Sequence, residues 1–412
     1  MNIRPHDRET LRTLAAKYMS YALSDKNNEK RDLWRALNNL HMQKPMITME
    51  QLPWHEMDVD GFLTCTVEDP ILRGIEWELR TNIYKWEHMP ADMVLNPYIT
   101  LPRPIQNTGF GLTVQYADMG RTGISIHLFE DQLSEMEDVE KIQTPVLTLD
   151  RAEEAQRLAA VREIFDGIAP VRLGGIMLHS GLWDSITFWK GVENCYIDFI
   201  DRPELIHAIL DRYTNAFLAQ IDQINALGVY DITSNLCHCS YTFADRLPDD
   251  TCDHDHPTTH DGWTFSMAQL FTSVSPEINR EFEVPYMSKI FSRFGSVYYG
   301  CCERLDDRID VITKMPNIRK ISCSPWSDRE HFAAVLPKEY IMSNKPNPSY
   351  LAQNTFDEDV VRADLRRTIK AAKEHGLGLE LLLKDVTTVC RDPQRLWRWS
   401  EIALEETENA FL

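Results

Sequence analysis

A rhythm in the second half of this chain constrains its fold more than any single residue does. Short apolar runs alternate there with stretches of helical periodicity. Residues 171–178 read as a buried strand. A helix then opens near Asp201 and Pro203, with Asp201 as its cap and the proline in the first turn, where a missing N–H costs nothing. Ile206, Leu210, Tyr213, Phe217, Ile221 and Ile224 give that helix one apolar stripe, and Gly228 closes it. Further runs at about 229–236, 296–300, 319–323, 340–343 and 377–383 repeat the pattern. Helices at about 276–295, 304–315, 328–336 and 357–374 separate them, and a last helix runs from about 393 to 410. Buried runs each followed by a helix specify parallel strands covered on both faces. Six such strands lie between 171 and 412, and weaker runs at 96–101 and 110–117 raise the count to eight. The expected fold class is α/β, a (β/α)8 barrel over residues 76–412, with residues 1–75 as an N-terminal helical cap that contributes no strand. A doubly wound open sheet is the alternative, but no glycine-rich phosphate turn follows any of the strands.

The 412 residues suffice for such a barrel and its additions. With 43 Lys+Arg against 63 Asp+Glu, the formal charge is −20, which repels nucleic-acid phosphates and anionic lipid heads. Neither nucleic acid nor a membrane is therefore an expected partner. No run of 18 apolar residues occurs, and the charged start of the chain is followed by no apolar stretch, so an export signal is not expected. Nine cysteines, an odd number, read as thiols of a reducing cytoplasm. The acidic segment 129–155 reads as a solvated helical excursion.

In a parallel barrel the chemistry sits where the strands end. His179 and Trp183 follow the first of the six strands, and Cys237, His238 and Cys239 follow the second. Cys301, Cys302 and Glu303 come after the third, Trp326 after the fourth, Lys345 and Asn347 after the fifth, and Lys384 and Asp385 after the sixth. His238, Cys239, Cys301 and Cys302, on strands taken as consecutive, are candidate ligands of a catalytic zinc that keeps one position open; the same cysteines also suit small buried apolar sites. Glu303 is a candidate acid. Lys384 and Asp385 are either a catalytic pair or a structural ion pair. His179, Trp183, Trp326, Lys345 and Asn347 are candidate substrate contacts, although histidine and tryptophan also serve as core residues. The run Cys252–His256, with His260 and Asp261, alternates Asp and His in a pattern that can bind a divalent metal; its prolines and glycine read as a long solvated loop, with a lid over the barrel mouth as the other reading. No nucleophile elbow, Walker loop, zinc-protease helix or dinucleotide fingerprint is present.

Several segments resemble the uroporphyrinogen decarboxylase superfamily: Leu236-Cys-His-Cys-Ser-Tyr-Thr-Phe243, Val274-Ser-Pro-Glu-Ile-Asn279, Tyr298-Tyr-Gly-Cys-Cys-Glu303, Ser324-Pro-Trp326, Lys345-Pro-Asn-Pro348 and Leu383-Lys-Asp-Val386. The resemblance implies a (β/α)8 barrel and one of two chemistries. True decarboxylases of the superfamily hold substrate carboxylates with an arginine- and glycine-rich N-terminal loop; Arg4, Arg8 and Arg12 here lie in a helical stretch without glycine. The other branch comprises zinc-dependent methyltransferases that act with a corrinoid protein. Cys301 matches a cysteine of that branch, Tyr299 stands where it has a histidine, and its later cysteine falls near Val386 and is absent. The resemblance thus implies demethylation of a small O- or N-methyl compound, aromatic ones included, zinc, and a corrinoid carried by a separate partner protein. A homodimer is the assembly kept in view. A metal-independent decarboxylase, needing cations such as Arg172, Lys345 and Lys384 at the mouth, is the alternative.

Overall fold

The structure, a computed structural model, describes residues 3–118 and 127–410. Its centre is a six-stranded, all-parallel sheet. The strands relevant to the site are β1 (Met46–Met49), β2 (Ile99–Pro102), β3 (Val171–Gly174), β4 (Trp263–Ser266), β5 (Ser296–Tyr299), β6 (Ile318–Cys323), β7 (Ile341–Asn344) and β8 (Gly378–Leu383). The sheet runs β1-β8-β7-β6-β5-β4, and β2 pairs in parallel with β3 as a separate ribbon. Two single parallel bridges link the ribbon to its surroundings: Ile176 to Tyr230 and His179 to Phe265. Among the described residues no continuous ladder closes the ring. What the structure shows is a mixed α/β fold with a curled parallel sheet of the kind found in half a barrel.

Several expectations are corrected. The segment before residue 76 is not purely helical: Met46–Met49 is fully buried and pairs with Glu380–Leu383. Four residues between Lys44-Pro45 and Glu50 are too few to show a strand period. Residues 229–236 contribute no strand to the parallel sheet, only the Tyr230 bridge and the start of a two-residue hairpin at Leu236, whereas Trp263–Ser266, mixed in polarity, does. Cys237–Cys239 and Cys301–Glu303 therefore do not follow consecutive strands, because β4 lies between them in the chain. The 110–117 run gives only a short antiparallel pairing of Tyr116–Asp118 with His127–Phe129. In the acidic segment, a 3-10 turn at Met136–Lys141 and the strand Leu147–Leu149 replace a helical excursion, anchored by the buried Leu133 and Ile142.

The helices follow local chemistry. Pro203–Leu227 ends at Gly228 in the left-handed conformation, but Asp201 terminates the preceding helix Val192–Asp201 and does not cap the next one. Glu358–His375 is capped by Asp357, whose side chain accepts the Asp359 and Val360 amides, and it stops at Gly376. The segment 276–291 breaks into two helices at Glu283, because Pro285 cannot continue a hydrogen-bonded helix. The N-terminal helices Pro5–Ala22 and Asp25–Asn38 bury Leu11, Ala15, Trp34 and Leu37 against residues of β1, β2, β3 and β7.

Strand alternation turns polar side chains into the interior. Lys320 Nζ lies 2.8 Å from Glu380 Oε2, 2.6 Å from Ser240 Oγ and 3.0 Å from the Tyr241 carbonyl, with no exposed surface. One level nearer the strand ends, Lys345 Nζ donates to Tyr298 Oη at 2.7 Å and Ser322 Oγ at 2.6 Å. Layers of this kind position what lies above them.

Candidate active site

The site is built on the turn after β5. Gly300 has φ of +93°, and a Cβ there would lie 2.5 Å from Leu305 and 2.9 Å from Ser322 Cβ. Only glycine fits, and the resulting turn carries Cys301 to the rim. Glu303 fixes that turn: Oε2 accepts the Cys301 amide at 2.8 Å and Oε1 the Ala268 amide at 3.3 Å. Ser322 donates to the Cys301 carbonyl at 2.6 Å.

β8 delivers the counter-charge. Lys384 Nζ lies 3.1 Å from Cys301 Sγ, 3.4 Å from His238 Nε2 and 3.5 Å from Asp385 Oδ2. The Cys301 and Cys302 sulfurs are 3.5 Å apart, and Cys302 Sγ is 3.3 Å from Asp385 Oδ2. His238 arrives on a small hairpin, Leu236–Cys237 paired with Ser240–Tyr241, and its ring packs against Phe265 and Tyr298 with centroids 4.7 and 5.1 Å away. Nine non-glycine residues among those described have positive φ, and His238, Cys239 and Asp385 are three of them. Left-handed backbone costs such residues about 1 kcal/mol each, and this strain gathers around one sulfur pair.

Electrostatics separates the two thiols. The hydrogen bond from Cys302 is the largest cause holding Cys301 far below the ordinary thiol range; His238 and the Lys345 charge add to it, against burial. Cys302, conversely, is driven up and keeps its proton. Burial lowers His238 to about 4, so its imidazole is neutral. Burial also works against the charge of Lys384, but the Cys301 thiolate outweighs it and holds the ammonium above its ordinary value. Across the rim, Asp184 is raised to about 7, by burial first and then by Glu303 and Cys301. His179 stacks on Phe265 at 4.5 Å, and its Nε2 sits 3.4 Å from Asp184 Oδ2 without hydrogen-bond alignment.

A divalent metal finds one donor set here. Cys301, Cys302 and Asp385 each place a ligand atom within 4.8 Å of the others. Two sulfurs on one tetrahedral zinc, each at about 2.3 Å, stand about 3.8 Å apart, close to the 3.5 Å found here. The set fits zinc by donor type and spacing, and three ligands leave a position open. The ammonium of Lys384 is the positive charge that balances the thiolate in the present arrangement.

The other predicted residues divide. His238 faces Lys384 and stands outside that three-donor set, as does Cys239. Glu303 is 4 % exposed with both oxygens on backbone amides, so it positions Cys301. Trp183 is core: it is 1 % exposed and wedged between Phe199 and Phe271. Asn347 caps the turn Pro348–Ala352 through Ser349. Lys345 is tied to Tyr298 and Ser322 beneath the rim, and Arg172 stacks on Tyr98, so these two do not join Lys384 as a carboxylate-binding trio. Trp326 stands exposed at the end of β6. Tyr299 bonds Glu283 at 2.9 and 2.8 Å, below the rim. The Asp/His loop is not a lid. His256 packs under Gly228, and Asp261 closes a turn that leads into the start of β4, at the end of the sheet away from Cys301. Sequence reasoning missed Asp184, Tyr298, Ser322, Lys320 and Glu380. The two-residue spacing Lys320-x-Ser322 and Ser343-x-Lys345 inside apolar strands was the signal for an interior polar face.

No protein-family model matches the chain, and no curated protein matches it. Among solved structures, a methyltransferase from Methanosarcina mazei is similar over 90% of this chain and 97% of its own, with a TM-score of 0.47 and 13% identity. In the described residues no helix is long and apolar enough to cross a membrane.

Proposed function

We propose that this chain is a methyltransferase that removes a methyl group from a small O- or N-methyl compound and passes it to a corrinoid on a separate protein. The fold proposed with it is the complete (β/α)8 barrel, the β2–β3 ribbon filling the gap between β1 and β4. The observation that carries the reading is the meeting of two cysteine sulfurs with the Asp385 carboxylate at the strand ends. Zinc held by Cys301, Cys302 and Asp385 would supply Lewis-acid polarisation of the methyl-bearing heteroatom.

The remaining roles belong to the chain itself. Glu303 and Ser322 hold the Cys301 turn, and Gly300 permits it. Asp184, carrying a proton up to about pH 7, faces the rim and protonates the heteroatom as the methyl group leaves. His179, stacked on Phe265, lies 3.4 Å from that carboxyl and lines the pocket beside it. Lys384 balances thiolate charge and orients the substrate. Trp326 offers a flat apolar surface beside the mouth. The test is methylation of reduced corrinoid, followed by its absorbance, with methoxylated aromatic and N-methyl donors. Wild type is expected to turn over a donor and Cys301→Ser to lose at least about a hundredfold. Unchanged turnover in that variant would reject the assignment of this site.

A further inference from the structure

Two neighbouring cysteines do not bring their sulfurs together by adjacency alone, because in extended backbone successive side chains point to opposite faces. The turn after β5 folds both to one side: Cys301 Sγ and Cys302 Sγ are 3.5 Å apart. Groups outside the pair hold that turn. Glu303 accepts the Cys301 amide at 2.8 Å, Ser322 donates to the Cys301 carbonyl at 2.6 Å, and Gly300 supplies the left-handed backbone. Small solutes reach the pair, since Cys302 is half-buried and the Asp385 side chain beside it is 45 % exposed. Both thiols are free. The Lys384 ammonium stands 3.1 Å from Cys301 Sγ, and the Asp385 carboxylate stands 3.3 Å from Cys302 Sγ, where it accepts the thiol hydrogen. A cation beside one sulfur and a proton acceptor beside the other suit a pair that gives up electrons.

We propose that Cys301 and Cys302 are an oxidation site, which hydrogen peroxide converts reversibly into a vicinal disulfide. One sulfur attacks the peroxide: the O–O bond breaks, one oxygen stays on sulfur as a sulfenic acid, and the other leaves with the thiol proton as water. The second sulfur attacks the sulfenic sulfur, the S–S bond forms, and the departing oxygen takes the second thiol proton as another water. The two sulfurs together lose two electrons, and the peroxide gains them. Neighbouring α-carbons are about 3.8 Å apart, closer than disulfides ordinarily span, so the closed ring is strained and a dithiol, itself oxidised to its disulfide, reopens it. The oxidation rests on the same reading of this sulfur pair as the reactive part of the rim. It needs no methyl donor, corrinoid or metal, so it and the methyl transfer fail separately.

Trypsin cuts after Arg293 and Arg304, and the peptide 294–304 contains Cys301, Cys302 and no other cysteine. The full chain, freed of metal with a chelator, is treated with equimolar hydrogen peroxide, then alkylated under denaturing conditions, digested and weighed by mass spectrometry. The expected product is the peptide 294–304, unalkylated and lighter than its dithiol form by two hydrogen atoms. It should form at least about tenfold faster in the folded chain than in the urea-unfolded chain, because the fold holds the sulfurs together. Dithiothreitol should return both thiols to alkylation. The measurement is made on the natural sequence and needs no variant. Three results would overturn the proposal: a peptide 294–304 that stays fully alkylated while the exposed Cys390 is oxidised, either sulfur joined to a cysteine outside this peptide, or equal rates in the folded and unfolded chains.

Discussion

Two lysines at different depths of one sheet show how the same side chain is used for opposite ends. Lys320 is fully buried and meets a carboxylate, a hydroxyl and a carbonyl, with indole rings of Trp34 and Trp263 within 5.2 and 5.6 Å. Every donor is used, so the group is part of the scaffold. Lys384 lies four residues beyond Glu380 on β8, at the rim, and faces a thiolate, a neutral imidazole and a half-exposed carboxylate. That neighbourhood has more ligand atoms than one ammonium needs, and strained backbone presents them. Depth separates a structural ion pair from a reactive cluster: the first is satisfied within the protein, whereas the second is left able to exchange partners.

Substitutions at the two levels should break apart accordingly. Lys320→Met leaves Glu380 buried and unpaired and should cost about 3–5 kcal/mol in urea unfolding. Adding Glu380→Leu should recover much of that loss, and a failure to recover would mean that the pair does more than balance charge. At the rim, Cys301→Ser should lower stability by less than about 1 kcal/mol while removing the proposed methyl transfer. Equal stability losses at the two levels would erase the contrast.

Asp184 gives a smaller effect with a defined sign. Its folded pKa, about 7, lies above that of an unfolded aspartate, so the native state holds the proton longer. This group therefore makes stability fall as pH rises from about 4 to about 7. Asp184→Asn should remove that fall: the variant gains stability relative to wild type between pH 4 and pH 8. A constant difference across that window would show that Asp184 titrates normally. The smallest effect is expected at Trp326, 67 % exposed. Trp326→Ala should change stability by less than about 0.5 kcal/mol, whereas Trp183→Ala should cost about 3–5 kcal/mol by opening a core cavity.

The parts legible in the sequence were those with local causes. Apolar runs located β3 and β5 through β8, and Gly228 and Gly376 marked helix ends because left-handed backbone favours glycine. β1 was hidden by its brevity and β4 by its mixed Trp-Thr-Phe-Ser composition. The structure brings His238, Cys301, Cys302, Lys384 and Asp385 together, but which of them would be partners was not readable. Cys301 and Lys384 are 83 positions apart, and His238 and Lys384 are 146 apart. Which sulfur becomes the thiolate depends on which neighbour gives it a hydrogen bond. Asn347 and Trp183 stood at equally plausible positions, and packing assigned one to a cap and the other to the core.

The central claim is that Cys301, Cys302 and Asp385 form one reactive centre. X-ray absorption at the zinc edge of the zinc-loaded protein tests it most directly. Two sulfur neighbours at about 2.3 Å together with lighter oxygen neighbours, reduced to one sulfur in Cys301→Ser, are the predicted result. Zinc that fails to bind, or that binds with no sulfur in its shell, would contradict it.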